Sequence, residues 1–489
     1  MESISKKVKH GIKWQFIANI ICQVTYFING IVLARILSPK DFGLYGMTQV
    51  LSGFIFMFWQ LGINSAIIQR EEISDEHLNT AFTISLAMGA GCFSVMWISA
   101  PLLARFFGEP SLTLLARLIG ITFIIYALDR VPSALLGRNM FFKNISLVGI
   151  ANSSFYGIVA IPLAMMGYGP FSFVWGIIAG ALGMTLIRIY WGFKFFNWKP
   201  KLLFDGTAAR HLLGFGVFIA LSETVGFFSW NLQRIIAGKY LGTIDLGYFT
   251  RASNLGQLPA EKVKSNIVTV LLPGFSSIQN DNLKVREWFR KFNFFTYSIA
   301  VPVLFFFTFF PKETIIGLFG EKWLASAEIL PWLSLAVLLS LSQIYFINIL
   351  QAVGKPFMTF IIGFLLLIPF AAGLYFAVNW GLKGIAVVLF VYNVISLVTY
   401  LSVLHKERII RLGDFVRSSI EPILVSLLAS LITLFVARIL GAYIRIAEIR
   451  LIVLVTVYTV MISPYFIYRI FVKSYISYLG FDIRKVIKI

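Results

Sequence analysis

Charge is what this sequence has least of. Only 13% of its 489 residues are Asp, Glu, Lys or Arg, against roughly 25% in a soluble domain. So few charges cannot cover a water-exposed particle of this size, which excludes a soluble globular class. Cysteine is nearly absent as well. The two present, Cys22 and Cys92, lie inside apolar runs and are too few for a disulfide scaffold or a zinc site. The four histidines, His10, His77, His211 and His405, are far apart along the chain and read as interfacial rather than metal-ligating. No GxxxxGK[ST] loop occurs, which argues against direct ATP hydrolysis. No connection between apolar runs is long enough for a soluble catalytic domain, and no loop presents a catalytic His or carboxylate. The start, Lys6-Lys7-Val8-Lys9-His10, leads into a long helix without a small-residue cleavage pattern, so the first helix is expected to stay as an anchor.

What the chain does have is apolar length. The apolar fraction is 58% and the mean hydropathy +0.83. Runs of twenty or more apolar residues recur, each able to cross a hydrocarbon core of ~30 Å. Fourteen spans are expected, at about 12–36, 42–69, 79–107, 112–137, 145–166, 170–194, 211–239, 245–278, 292–319, 324–352, 356–378, 382–404, 416–440 and 449–471. The net charge is +20, with the basic residues mostly between these runs. That pattern fits membrane topology and contact with anionic lipids better than nucleic-acid binding. Alternate connections are about twice as rich in Lys and Arg, which puts both termini in the cytoplasm.

One short pattern occurs twice. Ser38-Pro39 breaks the first helix, Asp41 stands where an N-cap belongs, and Asp41-Phe42-Gly43-Leu44-Tyr45 follows. Asp245-Leu246-Gly247-Tyr248-Phe249 answers it. A helix hairpin repeated at that distance indicates a duplicated bundle. The expected architecture is all-α and membrane-integral, with about 14 transmembrane helices. Two pseudo-symmetric six-helix lobes, 1–200 and 201–405, would enclose a central cavity. An extra helix pair and tail would occupy 406–489, with a packing role.

Polar residues inside the spans mark candidate cavity faces. Gln15, Asn19, Gln23, Tyr26 and Gly30 share one face of span one, and Gln49, Gly53, Gln60 and Asn64 one face of span two, by helical spacing. Span seven carries Glu223, Trp230 and Arg234, and span eight Arg251, Asn254, Gln257, Glu261, Lys262 and Lys264. Hydrogen-bonded helix packing is the alternative reading of the amides. A central cation costs ~2.5–3.5 kcal/mol on insertion scales. Arg130, Arg234 and Lys262 together would then cost on the order of 8–10 kcal/mol, tolerable only if they are paired or wet. Asp129-Arg130 is a lone charged pair in span four. Sequence neighbours on a helix do not face each other, so each needs another partner, in a cavity or an internal lock.

Residues 34–45, with Leu61-Gly62-Ile63-Asn64-Ser65-Ala66-Ile67-Ile68-Gln69-Arg70, resemble the polysaccharide-repeat flippases of the multidrug/oligosaccharidyl-lipid/polysaccharide exporter superfamily. The likeness extends over roughly 5–405 and is sharpest at 28–70 and 230–280. It implies export of a polyprenyl-pyrophosphate-linked oligosaccharide across the cell (inner) membrane by alternating access. It also implies no cofactor, coupling to an ion such as H+ or Na+, and a neighbouring polysaccharide polymerase and chain-length regulator. Arg130, Arg234, Arg251 and Lys262 are the candidate pyrophosphate ligands, with Arg35 and Arg70 nearer the mouths. Gln23, Gln60, Asn64, Asn254 and Gln257 suit sugars or helix contacts. Asp129, Glu223 and Glu261 suit a coupling ion. Two rivals stay open. A multidrug antiporter would need an acidic, aromatic cavity and would confer drug resistance. An integral-membrane polymerase or acyltransferase would need catalytic groups on a loop.

Overall fold

A computed structural model describes residues 4–59, 64, 67–68, 73–206, 227–440, 444, 446–467 and 469, with side chains described for all of these except 4–13, 16, 262–270, 440 and 466–467. The described residues are overwhelmingly helical and contain no strand. Among them, eleven stretches are long and apolar enough to cross a membrane, and two of these, Glu321–Ala352 and Pro356–Lys406, each hold two α-helices. The chain is a multi-pass membrane protein. Expected span seven, 211–239, lies largely outside the described residues. The chain forms two compact units, Met1–Gly247 and Tyr248–Ile489.

Unit 1 contains α1 (Ile4–Ile36), α2 (Pro39–Trp59), α3 (Asp75–Phe107), α4 (Leu112–Arg138), α5 (Phe142–Met165) and α6 (Phe171–Phe196). A helical stretch at 227–236, a π-helical turn, Ala237–Leu241, and the first turn of α7 (Thr243–Ser277) complete it. Helices α3 and α4, α5 and α6, α1 and α5, and α4 and α6 are the main packed pairs. Small residues permit the close approaches. On α5, Gly157 leaves the space that the Asn29 side chain of α1 fills, and Asn29 Nδ2 donates to the Ser153 carbonyl at 3.1 Å.

The start of α2 corrects one expectation. Asp41 is not the N-cap. Pro39 is the first helical residue, a position that suits a residue without an N–H, so Ser38 is the cap and Asp41 stands three residues on. The Ser38 N–H and Oγ–H donate to Asp41 Oδ2 at 2.8 and 2.7 Å, and the Asp41 N–H donates back to Ser38 Oγ at 3.3 Å. This is a reciprocal capping box.

The duplicated motif packs against its own copy. A Cβ on Gly43 would collide with the Thr243 carbonyl, and one on Gly247 with the Pro39 carbonyl. Gly43 and Gly247 are 204 residues apart, and so are Pro39 and Thr243. Each glycine therefore meets the counterpart of the residue that its own counterpart meets. Backbone-to-backbone contact this close needs a residue with no side chain on both sides.

Unit 2 contains the rest of α7, α8 (Asn282–Phe309), α9 (Pro311–Phe319), α10 (Leu324–Ser340), α11 (Gln343–Ala352), α12 (Pro356–Ala377), α13 (Gly381–Lys406), α14 (Leu412–Leu440) and α15 (Ala447–Ile467). Phe289, Phe346, Ile349, Leu350 and Leu404 are fully buried at one end of its core. Asp414 on α14 faces Arg286 and Arg290 on α8 at 3.9 and 3.7 Å, and Arg286 Nε donates to the Ile409 carbonyl at 2.9 Å. The last helix is held at two heights, and the residue Arg469 just beyond it adds a third contact. Arg450 pairs with Glu313 at 3.1 Å, the Tyr458 hydroxyl donates to the Pro302 carbonyl at 2.9 Å, and Arg469 pairs with Glu421.

Candidate functional site

Hydrocarbon tolerates a charged side chain only where a partner or water replaces hydration, so the intramembrane charges show where unit 1 is specialised. Asp129 and Arg188, on α4 and α6, form an ion pair at 2.7 Å with side chains 6% and 19% exposed. Arg188 was not among the sequence candidates, although it is a lone cation in an apolar run and the cost argument that flagged Arg130 applies to it equally. Arg130, next in sequence to Asp129, points elsewhere. Its Nη2 donates to the Trp59 carbonyl at 2.9 Å and its guanidinium lies 4.8 Å from the Trp59 ring centroid. Two turns further along α4, Arg138 Nη1 donates to the Ile67 carbonyl at 3.1 Å. One face of α4 thus holds backbone oxygens of the second span at two levels. Asp129 and Arg130 do part company, as neighbours on a helix must.

A second group gathers around Tyr45 on α2. Gln49 Nε2, one turn on, donates to the Tyr45 hydroxyl at 2.7 Å, and the ring stacks on Phe173 of α6 at 4.5 Å. Arg234, half-buried on the 227–236 helix, lies close enough to Tyr45 for its charge to act on the phenol, and Tyr26 and Tyr126 lie within the same electrostatic reach. Tyr26 on α1 is 46% exposed, accepts from Asn152 Nδ2 at 3.1 Å, and sits 6.3 Å from Tyr156 between ring centroids. The polar face expected on α1 has Gln15 and Asn19 exposed and Gln23 half-buried, while Arg35 is exposed at its last turn. Asn64 is half-buried, with its Oδ1 buried and unpartnered among the described residues. Gln60, Arg70 and Glu223 lie outside the described residues.

In unit 2, Arg251 on α7 covers the Phe319 ring at 3.8 Å. Gln257 Nε2 donates to Ser253 Oγ at 2.7 Å, and Asn254 and Glu261 are exposed. The backbone of Lys262 is helical, and its side chain is outside the described set. The sequence reading passed over a second polar cluster in this unit. Asn293 Nδ2 donates to Ser418 Oγ at 2.9 Å, while Ser342 Oγ bridges Asn293 Oδ1 at 2.6 Å and the Tyr297 hydroxyl at 3.1 Å. The Tyr345 hydroxyl bonds Thr296 and the Phe292 carbonyl. Every side chain in this cluster is neutral and almost fully buried. Small hydroxyls at helical spacing carry no sequence signal distinct from ordinary helix packing. Among the described residues, no three His, Cys, Asp or Glu side chains come together as metal ligands would.

The structure thus sets Arg234 near Tyr45 in unit 1, gives Asp129 and Arg130 to partners of their own, and keeps Arg251 against an aromatic ring. The sequence profile described as polysaccharide biosynthesis protein matches residues 32–328. The chain is 25% identical over 460 residues to the teichuronic acid biosynthesis protein TuaB of Bacillus subtilis (strain 168), covering 92% of this chain and 93% of that one. It is 23% identical to the succinoglycan biosynthesis transport protein ExoT of Rhizobium meliloti (strain 1021), covering 92% and 90%. Its fold is similar to that of the lipid II flippase MurJ in an inward closed conformation, with a TM-score of 0.71, 17% identity, and 93% of this chain and 98% of that chain covered.

Proposed function

The chain belongs to the polysaccharide biosynthesis protein family, and from that membership we propose that it is a flippase for a polyprenyl-pyrophosphate-linked oligosaccharide. It moves the headgroup from the cytoplasmic to the outer leaflet of the cell membrane by alternating access, for the assembly of an exported polymer. A pyrophosphate and its sugars cannot cross hydrocarbon bare, because stripping water from unpaired charge is prohibitive. Cations carried within the spans replace that water, and Arg presents a planar set of donors suited to phosphate oxygens.

The observation that carries this reading is Arg234. It is a half-buried cation on the 227–236 helix, close enough to the Tyr45 phenol for its charge to act on it. Because Asp129 and Arg130 have other partners, the weight falls on Arg234 in unit 1 and on Arg251 and Lys262 of α7. Glu261 and Glu223 are the carboxylates proposed for coupling to H+ or Na+. Both termini lie in the cytoplasm in this reading, and a polymerase and a chain-length regulator receive the product.

The test uses the full chain in liposomes loaded with a fluorescent lipid-linked oligosaccharide. Headgroup transfer is read by a membrane-impermeant quencher. Wild-type protein is expected to move the headgroup, and Arg234→Ala or Lys262→Ala to lose at least tenfold in rate at unchanged protein level. Full rates in both variants would remove these residues from the mechanism. No transfer by wild-type protein under any ion gradient would remove the flippase itself.

A further inference from the structure

Arginine gathers at one end of unit 2 in excess of the acids there. The turn between α13 and α14 covers residues 407–411, and the start of α8 lies against it. Arg286 Nε donates to the Ile409 carbonyl at 2.9 Å, and Arg286 Nη2 donates to the Arg408 carbonyl. The Arg411 N–H donates to Asp414 Oδ2 at 3.0 Å, and Asp414 faces Arg286 and Arg290 at 3.9 and 3.7 Å. One carboxylate thus stands among Arg286, Arg290, Arg408 and Arg411. The other acids of these segments have cations of their own. Asp281 has Lys284 at 3.4 Å, Glu287 has Lys291 at 2.6 Å, and Glu407 has Lys355. Arg408 and Arg411 are exposed, and neither side chain has a carboxylate within ion-pair distance among the described residues. Arg408 also holds φ at +57°, the left-handed region that suits glycine. A cationic side chain kept in that conformation, beside others of its sign, is a cost that no contact of its guanidinium among the described residues offsets.

A row of apolar side chains starts beside this cluster. Leu412, Val416, Ile420, Leu424 and Leu428 are exposed along α14, a membrane span, and residues four apart on a helix stand one above another. A hydrocarbon chain lying on that row has its headgroup at the arginines. Guanidinium donors fit phosphate oxygens, and a basic site at the end of a lipid-facing span suits an anionic headgroup. We propose that Arg290, Arg408 and Arg411 bind the phosphate of an anionic phospholipid whose acyl chains lie along α14. Arg286 and Asp414 hold the 408–411 turn in place for it. This lipid is distinct from the transported one, and on the topology proposed above it belongs to the cytoplasmic leaflet.

The test measures binding of two fluorescent lipids to the full-length protein in detergent, phosphatidylglycerol and phosphatidylcholine with the same acyl chains. Wild-type protein is expected to bind the anionic probe about tenfold tighter. Arg408→Gln/Arg411→Gln is expected to bind the two probes to within about twofold, with phosphatidylcholine affinity and melting temperature unchanged. Arg408→Gly removes one cation and relieves the left-handed backbone. It is expected to melt at or above the wild-type temperature while losing part of the preference. Lys201→Gln, which removes an exposed cation of unit 1, is expected to keep the preference whole. An undiminished preference in the double variant, or an equal loss in Lys201→Gln, overturns the site. So does equal binding of the two probes by wild-type protein. Displacement of the anionic probe by equimolar short-chain polyprenyl pyrophosphate gives the arginines to the transported lipid and overturns the phospholipid as occupant.

Discussion

The first six helices of unit 1 and the α8–α11–α14 bundle of unit 2 solve the same problem in opposite ways. Both must place polar atoms inside a membrane-spanning fold. Unit 2 uses neutral groups, closes them on one another, and buries them; Asn293 and Ser342 are each 0% exposed. The charges that join α8 to α14, Arg286, Arg290 and Asp414, sit near the starts of those helices. Unit 1 instead carries Asp129, Arg130, Arg188 and Arg234 within its helices, and it leaves Tyr26 half exposed. A satisfied neutral network works as glue between helices. Charges inside the membrane are tolerated only where something else is to be bound or a second helix is to be locked. On the function proposed above, the one cluster serves structure and part of the other serves transport.

The comparison can be broken most forcefully at Arg188. Arg188→Ala leaves Asp129 buried without its cation and is expected to cost ~3–5 kcal/mol, read as a large fall in melting temperature in detergent. Removing both charges in Asp129→Ala/Arg188→Ala is expected to return much of that loss. Wild-type stability in the single variant would show that the pair locks nothing. The next effect is at the motif contact. Gly43→Ala and Gly247→Ala each drive a methyl into a backbone carbonyl and are expected to cost about 1–3 kcal/mol each, with the double variant less than additive because the two sites share one contact.

Asn293→Ala tests the other side of the comparison. It should destabilise by about 1–2 kcal/mol, as Ser342 and Ser418 lose a buried partner, while transport per folded molecule stays unchanged. Loss of transport at full stability would mean that unit 2 also carries function in its polar cluster.

The smallest expected effect is at Asp281, the N-cap of α8, whose carboxylate accepts from the Lys284 and Leu283 N–H groups at 3.1 and 3.0 Å. The Lys284 N–H, then the Lys284 side chain and the Leu283 N–H, hold its pKa below the ordinary carboxylate range. A depressed carboxylate stabilises the fold at neutral pH, and the gain fades as the pH falls below about 4. Asp281→Ala should therefore melt slightly lower at pH 7, with the gap narrowing as the pH falls below about 4. A gap that does not narrow on acidification would assign the effect to something other than the carboxylate.

Much of this organisation is legible without coordinates. Hydropathy locates the spans because an apolar run long enough to cross hydrocarbon leaves a long-range compositional trace. The cost of a lone intramembrane charge singles out Asp129 and Arg130. Their partners are not legible, since a lone charge says that it must be satisfied and not by what. Arg130 found a main-chain oxygen, which every residue possesses, and Asp129 found a cation 59 positions away. The Asn293–Ser342–Ser418 cluster left no mark because its members are common helix-packing residues. Asp41 reads as a cap in the sequence because a cap and the third residue of a capping box favour overlapping side chains.

The amino-acid order by itself determined that this is an all-helical membrane protein with a motif duplicated at Asp41–Tyr45 and Asp245–Phe249, because both are carried by composition and repetition along the chain. Only the tertiary structure decided that Gly43 and Gly247 meet each other's counterpart backbones, that Asp129 is given to Arg188, and that Arg130 is given to the Trp59 carbonyl. Those contacts join helices far apart in sequence, and the angle and depth at which helices cross are set by packing, which no local pattern records.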